Sequence, residues 1–383
     1  MQTWDVIVVG AGPAGCGAAY DLATSGRSVL LLDRCIFPRQ KACAGGLTIK
    51  AVRALRYSIE PVVRETISSI RVSKHLVSPC VLESPRPLCV MTVREELDAF
   101  CLNKTLEAGA KFRLIKSIRG VKETTSDVIL TTDIGEFEAR FLVGADGANS
   151  QVRLFCGNPD WFRKAFALEA QVRCSGEPPG LGLDFGVVRN GYGWVFPKGD
   201  HLNVGLCAES PEENQKVTRA TLSDYIRRRL NTETFDRVVG QYLGIGGWLD
   251  NSVPRRVFLI GDAAGLVDPL TGEGIFNAIV SGQEAAKAIE SGLSGNQAAG
   301  ELFAAGLSEM RRDLAIAARM SQRFYNNLDW GYAALTFPVV RRAALKTYAN
   351  GLNFVRALKR YGFVRPYLSL RTYVAAAGDR AGR

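Results

Sequence analysis

The stretch of sequence that decides the fold reads DVIVVGAGPAG, from Asp5 to Gly15. Its first half is apolar and rich in β-branched residues, which is typical of a short buried strand. Its second half places three glycines in a G-x-G-x-x-G pattern, and the residues from Pro13 to Ala23 favour a helix. The pattern therefore predicts a strand, a tight turn and a helix, which is how a dinucleotide-binding fold begins.

Each of the three glycines has its own physical task in such a turn. Gly10 permits the tight turn, Gly12 lets the backbone approach a pyrophosphate, and Gly15 lets the helix pack closely on the strand. A second predicted strand, residues 28–32, ends at Asp33, which lies 18 residues after Gly15 and is placed to bind a ribose. The alternative is a glycine-rich turn without a ligand, but the succession of strand, helix, strand and acid favours a nucleotide.

Two distant segments distinguish FAD from NAD. Residues 143–150 read VGADGANS and residues 257–264 read VFLIGDAA, so each is a buried-strand pattern that ends in an acidic turn containing glycine. Such turns can bring a carboxylate to a ribitol hydroxyl without a Cβ clash. Residues 269–275 read PLTGEGI, and a predicted helix over 276–289 follows. The positive end of that helix suits the flavin edge that collects negative charge on reduction, so these segments predict FAD.

The composition argues against several other kinds of site. The chain has 383 residues, 47% hydrophobic and 22% charged, which is typical of a globular protein of two or three structural units. Because only two histidines are present, we expect no metal site and no histidine-dependent nucleophile. Nine cysteines are scattered without a C-x-x-C pair, which favours free thiols in a reducing compartment.

We expect neither a secretory signal peptide nor a membrane-spanning helix. Residues 1–4 lead directly into an apolar strand, without a basic region or a cleavage site. The longest apolar run, residues 330–340, contains Pro338 and is shorter than the roughly 18 residues that span a bilayer. We therefore expect a cytoplasmic protein that is soluble or lies on the inner face of a membrane.

Positive charge is concentrated towards the C-terminus. The formal net charge is +10, and residues 311–383 hold 14 Lys or Arg, three acids and 11 aromatic residues. Basic residues interleaved with aromatic ones suit an anionic membrane surface and, less well, a nucleic acid, so we expect no nucleic-acid partner. The plainer alternative is a set of solvated helices with aromatic core faces.

A row of aromatic residues stands out in the middle of the chain. Residues 191–198 read GYGWVFPK, and Tyr192, Trp194 and Phe196 alternate, so they share one face of a predicted strand. Such a row either packs in the core of a sheet or forms the wall of an apolar substrate channel.

These segments together resemble the FAD-dependent geranylgeranyl reductase family, within the flavoproteins related to p-hydroxybenzoate hydroxylase. The resemblance covers residues 5–290 and includes four further segments: KACAGGL at 41–47, REELD at 94–98, GADG at 144–147, and 261–274. Residues 192–198 look like the family's Y-x-W-x-F-P-K signature, which favours the substrate-channel interpretation of the aromatic row.

The resemblance implies an α/β fold with a discontinuous Rossmann-like FAD-binding domain, a β-rich substrate domain and a helical C-terminal region. We expect the FAD-binding domain at 1–72, 93–150 and 252–300, the substrate domain at 73–92 and 151–251, and the helical region at 301–383. Residues 116–140 are expected to form a small β-meander, and helices are expected over 301–321 and around 339–360.

The resemblance also implies which residues hold the cofactor. The pyrophosphate would lie on Gly10, Gly12, Pro13, Ala14 and Gly15. The adenosine and ribitol portions would contact Asp33, Arg34, Arg94, Val121 and Asp262, with Val121 using its backbone against the adenine. The isoalloxazine would face Cys43, Ala44, Gly45, Gly272, Gly274 and Ile275.

Cys43 is expected beside the flavin, in a loop where relatives often carry a glycine in place of Ala44. A thiol there could deliver a proton or tune the flavin, or could be a small buried filler like the other cysteines. Nearby Lys41 is either a phosphate contact or a surface charge. Cys43, Tyr192 and Trp194 are the candidate catalytic residues.

The leading hypothesis is an FAD-dependent oxidoreductase that reduces C=C bonds of a prenyl chain of geranylgeranyl type by hydride transfer from N5 of the reduced flavin. The substrate would be an isoprenoid or similar apolar lipid. Cys43, Tyr192 or water would supply the proton, and NADPH or another reductant the electrons.

Two alternatives stay open. One is a monooxygenase or halogenase of the same fold that acts through a C4a-hydroperoxide, although a halogenase typically shows W-x-W-x-I-P where this chain has Tyr192, Trp194 and Phe196. The other is a flavin-bearing membrane or interaction protein without turnover.

Overall fold

Three β-sheets organise the chain. The computed structural model describes residues 3–174, 177, 179–209, 217–295, 298–352 and 355. Within them, the strands in chain order are β1 (Thr3–Val9), β2 (Val29–Asp33), β3 (Gly46–Thr48), β4 (Val63–Ile67), β5 (Ser69–Lys74), β6 (Val77–Glu83), β7 (Cys89–Thr92), β8 (Lys111–Leu114), β9 (Ile118–Glu123), β10 (Val128–Thr132), β11 (Gly135–Gly144), β12 (Arg163–Arg173), β13 (Gly182–Phe185), β14 (Gly191–Pro197), β15 (His201–Ala208), β16 (Asp236–Ile245) and β17 (Val257–Leu259).

Helices connect and cover these sheets. In chain order they are α1 (Pro13–Thr24), α2 (Ile49–Ala54), α3 (Arg94–Glu107), α4 (Gln151–Phe155), α5 (Arg219–Leu230), α6 (Ile275–Leu293), α7 (Ala299–Asn326), α8 (Leu328–Thr336) and α9 (Pro338–Ala349).

The first sheet carries the glycine turn. Its order is β8-β2-β1-β11-β10-β9, with β17 paired to β11, and β1 is parallel to both of its neighbours. Val6 and Val8 point into the core formed with α1 and α6, whereas Ile7 packs on the opposite face against the β-meander of β9–β11. Because both faces are covered, β1 reads as a continuous apolar run, as expected for a central parallel strand.

The second sheet carries the aromatic row. Its order is β16-β12-β15-β14-β13-β5-β6. Helix α5 packs on one face, where Leu222, Tyr225 and Ile226 enter the core. The opposite face presents Trp194 and Cys207. It is this second face that turns towards the loop after β2.

A small third sheet lies between the two large ones. Its order is β3-β7-β4. Met91 of β7 packs with Phe196 of β14, and a Cβ on Gly46 of β3 would lie 2.8 Å from the Phe196 ring. The absence of a side chain at Gly46 therefore lets β3 approach the aromatic row closely.

The predicted fold class is confirmed. The helix predicted from Pro13 runs to Thr24, the one predicted over 276–289 runs from Ile275 to Leu293, and residues 118–144 contain the predicted meander. The predicted domain boundaries stay predictions, although β5 already joins the second sheet at Ser69.

The C-terminal helices differ from the prediction in number and extent. Helix α7 reaches Asn326, and the Asn327 side chain then caps α8, a helix that the sequence analysis missed, by accepting a hydrogen bond from Trp330 N at 3.1 Å. The helix expected around 339–360 begins at Pro338 and ends at Ala349. Beyond residue 352, only Val355 lies within the described residues.

Candidate functional site

The glycine turn leaves open space where the sequence predicts a pyrophosphate. Gly10 has φ +102°, and a Cβ there would lie 2.4 Å from the Ala145 carbonyl oxygen. A Cβ on Gly15 would lie 1.8 Å from the carbonyl oxygen of Gly10. By contrast, a Cβ on Gly12 would meet only Arg39, at 3.7 Å. Gly12 also begins α1 without a side-chain cap, so the helix start at Pro13 and Ala14 is free to bind an anion.

Asp33 lies at the end of β2 against this turn. Its carboxylate accepts hydrogen bonds from the backbone N–H groups of Ala11 (2.7 Å) and Cys35 (2.9 Å). These bonds fix the carboxylate beside the glycine turn, where a ribose-binding acid is expected. Arg34 follows with its side chain exposed.

Arg94 lies at the start of α3, held by an acid that the sequence analysis missed. It forms two hydrogen bonds of 2.8 Å with Asp98, and Arg39 approaches the same carboxylate at 3.1 Å. Burial alone would raise the pKa of Asp98, but Arg94 and Arg39 outweigh it, so the pKa lies below its usual range. The i,i+4 spacing of Arg94 and Asp98 was the signal in the sequence that could have found this pair.

The two acidic turns are joined by Arg153. Its guanidinium donates to the carbonyl oxygens of Ala148 and Ala263, each at 2.9 Å. One carboxylate oxygen of Asp146 accepts a hydrogen bond of 2.7 Å from the backbone N–H of Gln151 and so caps α4. Its other oxygen is buried and has no hydrogen-bond partner among the described residues, and burial raises the pKa of the group.

Asp262 lies beside the start of α6. A Cβ on Gly274 would lie 3.5 Å from an Asp262 carboxylate oxygen. Gly274 begins α6 without a side-chain cap, which leaves the N–H groups from Ile275 onwards available. Burial raises the pKa of Asp262, and the Lys41 ammonium opposes that rise. Lys41 therefore lies close to Asp262 rather than alone on the surface.

Residues 271–274 are tied directly to the aromatic row. The Tyr192 hydroxyl donates to the Thr271 carbonyl oxygen at 3.1 Å. Gly272 has φ +70°, and a Cβ there would lie 2.4 Å from the Tyr192 hydroxyl oxygen. The structure thus brings the start of α6 and strand β14 together, although they are about 80 residues apart in sequence.

Trp194 lies next to Tyr192, with ring centroids 6.2 Å apart. Its indole N–H donates to Asn203 Oδ1 at 2.7 Å, and the ring is buried. The indole N–H therefore already has a hydrogen-bond partner within the sheet.

The loop that contains Cys43 requires glycine at one position. Gly45 has φ +63°, and a Cβ there would lie 2.2 Å from the Thr92 carbonyl oxygen. Gly45 N donates to Cys43 Sγ at 3.4 Å, while Thr92 N donates to the Gly45 carbonyl oxygen at 2.8 Å. The Cys43 thiol also lies beside the buried Arg94 guanidinium.

Two buried ionisable residues hold this loop, and the sequence analysis gave neither a role. Lys198 donates to the carbonyl oxygens of Ala44 and, at 3.0 Å, Thr92. The Glu169 carboxylate faces the backbone N–H of Cys43 and the side chain of Asn203. Burial lowers the pKa of Lys198 to about 8 and raises the pKa of Glu169 to about 7. Each group thus titrates near neutral pH.

Lys198 could have been found because it ends the signature segment. Glu169 had no comparable signal, because it lies on β12 and reaches the loop only through pairing of β12 with β15.

Val121 packs against the core cluster that contains Ile7 and Val9 of β1, just before the glycine turn. It is on β9, the outermost strand of the meander, and pairs with Leu130. Between β1 and β9 lie β11 and β10. Its predicted contact with adenine stays a prediction.

Three further expectations concern the chain as a whole. The cysteines that the structure describes form no disulfide. Among the residues that the structure describes, no cluster of His, Cys, Asp and Glu has a metal-binding arrangement. Within the same residues, no helix combines the length and the apolar character needed to cross a membrane.

Comparisons with known proteins identify the family of this chain. The FAD binding domain family matches residues 3–160. The geranylgeranyl diphosphate reductase of Rhodobacter capsulatus is 30% identical, over 91% of this chain and 92% of that protein. Digeranylgeranylglycerophospholipid reductase 2 of Methanothermobacter thermautotrophicus is 33% identical, over 76% of this chain and 79% of that protein. The menaquinone reductase of Mycolicibacterium smegmatis is 31% identical, over 75% of this chain and 76% of that protein.

Solved structures share the fold. A geranylgeranyl bacteriochlorophyll reductase-like protein from Thermoplasma acidophilum superimposes with a TM-score of 0.76 at 20% identity, covering 96% of this chain and 98% of that one. A flavin-dependent brominase superimposes with a TM-score of 0.71 at 19% identity, covering 94% of this chain and 99% of that one. At these identities the structures show the fold, which supports more than one chemistry. The extent and identity of the sequence matches show more: the chain is an FAD-dependent oxidoreductase and belongs to the geranylgeranyl reductase family.

Proposed function

We propose that this oxidoreductase uses FAD to reduce C=C bonds in the prenyl chain of an isoprenoid lipid. The observation that carries the proposal is the Tyr192–Thr271 hydrogen bond, which brings an aromatic wall against the start of α6. The named activities of the curated relatives support a prenyl-bearing substrate. NADPH or another reductant would supply the electrons.

The residues around the glycine turn fit FAD. Backbone atoms occupy the space where a Cβ on Gly10 or Gly15 would lie, whereas the space beside Gly12 is open. Helices α1 and α6 both start without side-chain caps. We assign the pyrophosphate to residues 10–15, the ribose to Asp33, the ribitol and its phosphate to Arg94 and Asp262, and the isoalloxazine to Gly272, Gly274, Ile275 and the Cys43 loop. Bound FAD, once reduced, would supply a hydride for one carbon of the double bond.

The protein must supply proximity and a dry cavity, because an isolated alkene is not polarised. Tyr192 and Trp194 form the apolar wall for this task. Burial raises the pKa of Tyr192 well above its ordinary value, and its hydroxyl is already bonded to Thr271. Tyr192 is therefore better suited to orienting the substrate than to giving up a proton.

Cys43 is the proton donor that the geometry supports best. Its thiol lies beside the Arg94 guanidinium, which would stabilise the thiolate left after the proton moves to the second carbon. Lys198 lies close enough for the charge of Cys43 to affect its pKa. The Lys198 ammonium can therefore return a proton to Cys43 and regain one from solvent.

An anaerobic half-reaction tests the function. The flavoprotein is photoreduced without oxygen and then mixed with a geranylgeranylated lipid. We expect the flavin to be reoxidised and the lipid to gain two hydrogens per double bond. The proposal is wrong if no prenyl compound reoxidises the flavin while oxygen and an aromatic compound yield a hydroxylated product. That second result would establish the monooxygenase alternative.

We place the enzyme in the cytoplasm, at the inner face of a membrane. Cysteines that form no disulfide among the described residues suit a reducing compartment, and an isoprenoid lipid resides in a bilayer.

A further inference from the structure

Helices α8 and α9 expose large apolar side chains at their junction. Trp330 is 59% exposed, Phe337 58% and Val339 63%. Phe337 alone separates α8 from α9, which begins at Pro338, so these side chains lie around the junction of the two helices. Isolated exposed apolar residues need no explanation, but a contiguous group indicates a surface that another partner covers.

The β5–β6 hairpin extends this group. The Tyr332 hydroxyl donates to the Val72 carbonyl oxygen at 3.2 Å and also to that of Ser78, and an Arg341 Nη1 atom lies 3.6 Å from Cys80 Sγ. The hairpin therefore lies against both helices. It adds Val77 and Val81, which are 57% and 52% exposed. We call Val77, Val81, Trp330, Phe337 and Val339 the α8–α9 patch.

The charges around the patch are mostly positive. Asp329 is the one acid in α8 and α9, and it is paired with Lys74. Helix α9 carries Arg341, Arg342 and Lys346, of which the last two are exposed. A partner with a negative surface and an apolar interior matches both features.

The helices that bear the patch also reach the candidate site. Tyr325 of α7 and Tyr348 of α9 both lie close enough to Tyr192 to interact electrostatically, and burial raises the pKa of each. The patch and the aromatic wall therefore belong to one continuous group of elements.

We infer that the α8–α9 patch docks on an anionic lipid bilayer, with Trp330 and Phe337 inserted at the interface and the basic residues of α9 against the headgroups. The inference rests on the proposed lipid substrate for its purpose, but it needs no flavin chemistry. A second copy of this chain fits less well, because two such basic surfaces would repel each other. A nucleic acid would leave the apolar side chains of the patch exposed.

Vesicle co-sedimentation of the full chain tests this docking. The probes are vesicles of equimolar phosphatidylglycerol and phosphatidylcholine, and vesicles of phosphatidylcholine alone. We expect binding to the anionic vesicles, with a blue shift of tryptophan fluorescence that Trp330→Phe reduces. Trp330→Ser with Phe337→Ser should weaken binding by about tenfold or more, because bilayer affinity follows the apolar area inserted. Arg342→Gln with Lys346→Gln should weaken it by about fivefold per charge.

Leu154→Ser with Phe155→Ser is the matched control. Leu154 and Phe155 are 58% and 46% exposed but lie on α4, so this variant should bind as the parent chain does. Equal loss in control and patch variants would refute the inference, as would unchanged binding of the patch variant. So would failure to bind either vesicle, or a dimer that the patch variant converts to a monomer. Because vesicle binding is read without turnover, these results leave the anaerobic half-reaction as a separate test.

Discussion

The two large sheets contribute to the candidate site in different ways. The first sheet contributes mainly backbone: at Gly10 and Gly15 any side chain would collide with carbonyl groups, and two helices start without caps. The second contributes side chains: Tyr192, Trp194, Glu169 and, just past β14, Lys198. The comparison shows that a backbone-built site is specified locally by glycines, whereas a site built from side chains depends on how distant strands pair.

The largest expected effect is on the backbone-built part. Gly15→Ala places a Cβ 1.8 Å from the Gly10 carbonyl oxygen, so the turn cannot keep its shape. We expect purified protein without bound flavin, measured by the visible absorbance. Gly180→Ala is the control, because a Cβ there meets nothing within 4 Å, and it should remain yellow. A flavin-replete Gly15→Ala variant would contradict the comparison.

Removing the Cys43 thiol should have the next largest effect. In Cys43→Ala we expect prenyl substrate to reoxidise the reduced flavin about 10²–10⁴-fold more slowly, the usual contribution of a positioned proton donor. Tyr192→Phe should change the rate by less than about tenfold, because it removes one hydrogen bond of about 1 kcal/mol. Anaerobic stopped-flow absorbance measures both. If Tyr192→Phe caused the greater loss, the assignment of the proton donor would be wrong.

A pair of variants on α3 separates buried charge from exposed charge. Asp98→Asn leaves Arg94 and Arg39 without their shared counter-charge, so we expect the free energy of unfolding to fall by about 3–5 kcal/mol. Glu107→Gln makes a similar chemical change at the largely exposed pair with Lys104 and should cost less than about 1 kcal/mol. Urea denaturation measures both. Equal costs would show that Asp98 does not neutralise the buried arginines.

The smallest expected effect is on how stability depends on pH, and it concerns the part of the site that is built from side chains. The pKa of Glu169 rises from 4.5 to about 7 on folding, so between these values the folded state binds more protons and loses stability as pH rises. In Glu169→Gln, the free energy of unfolding should decline over this pH range by up to about 3 kcal/mol less than in the parent chain.

Lys198 provides a control of opposite sign. Its pKa falls from 10.5 to about 8, so the unfolded state binds more protons between these values, and stability rises with pH there. Lys198→Met should flatten that rise. Because the Lys198 charge lowers the pKa of Glu169, the variant should also extend the lower pH window upwards. Identical pH profiles of the parent chain and Glu169→Gln would show that Glu169 is not held protonated by burial.

The sequence predicted the parts of the molecule whose information is local. The glycine turn, Asp33 at the end of β2 and the helix starting at Ile275 follow from short patterns, because steric limits and strand–helix alternation act over a few residues. The resemblance added the position of Cys43 and the aromatic row. Trp194 shows the limit of the pattern, since alternation placed it on the correct face but could not show that Asn203 binds its N–H.

Residues that act through tertiary contacts were not predictable in this way. Glu169 faces Cys43 because β12 and β15 pair in one register, and no spacing in the sequence encodes that approach. Arg39 meets Asp98 from a loop of irregular structure. Helix α8 was missed because its start depends on the Asn327 side chain, whose capping role depends on local backbone geometry.

The Arg153 guanidinium has a consequence for how the enzyme takes up its cofactor. Because it donates hydrogen bonds to both Ala148 and Ala263, the two acidic turns behave as one rigid wall. Separating the turns would leave the buried guanidinium without these hydrogen-bond partners. Residues 43–45 are secured by Lys198, whose pKa burial lowers to about 8. Cofactor exchange should therefore proceed past that loop and speed up in mildly alkaline buffer.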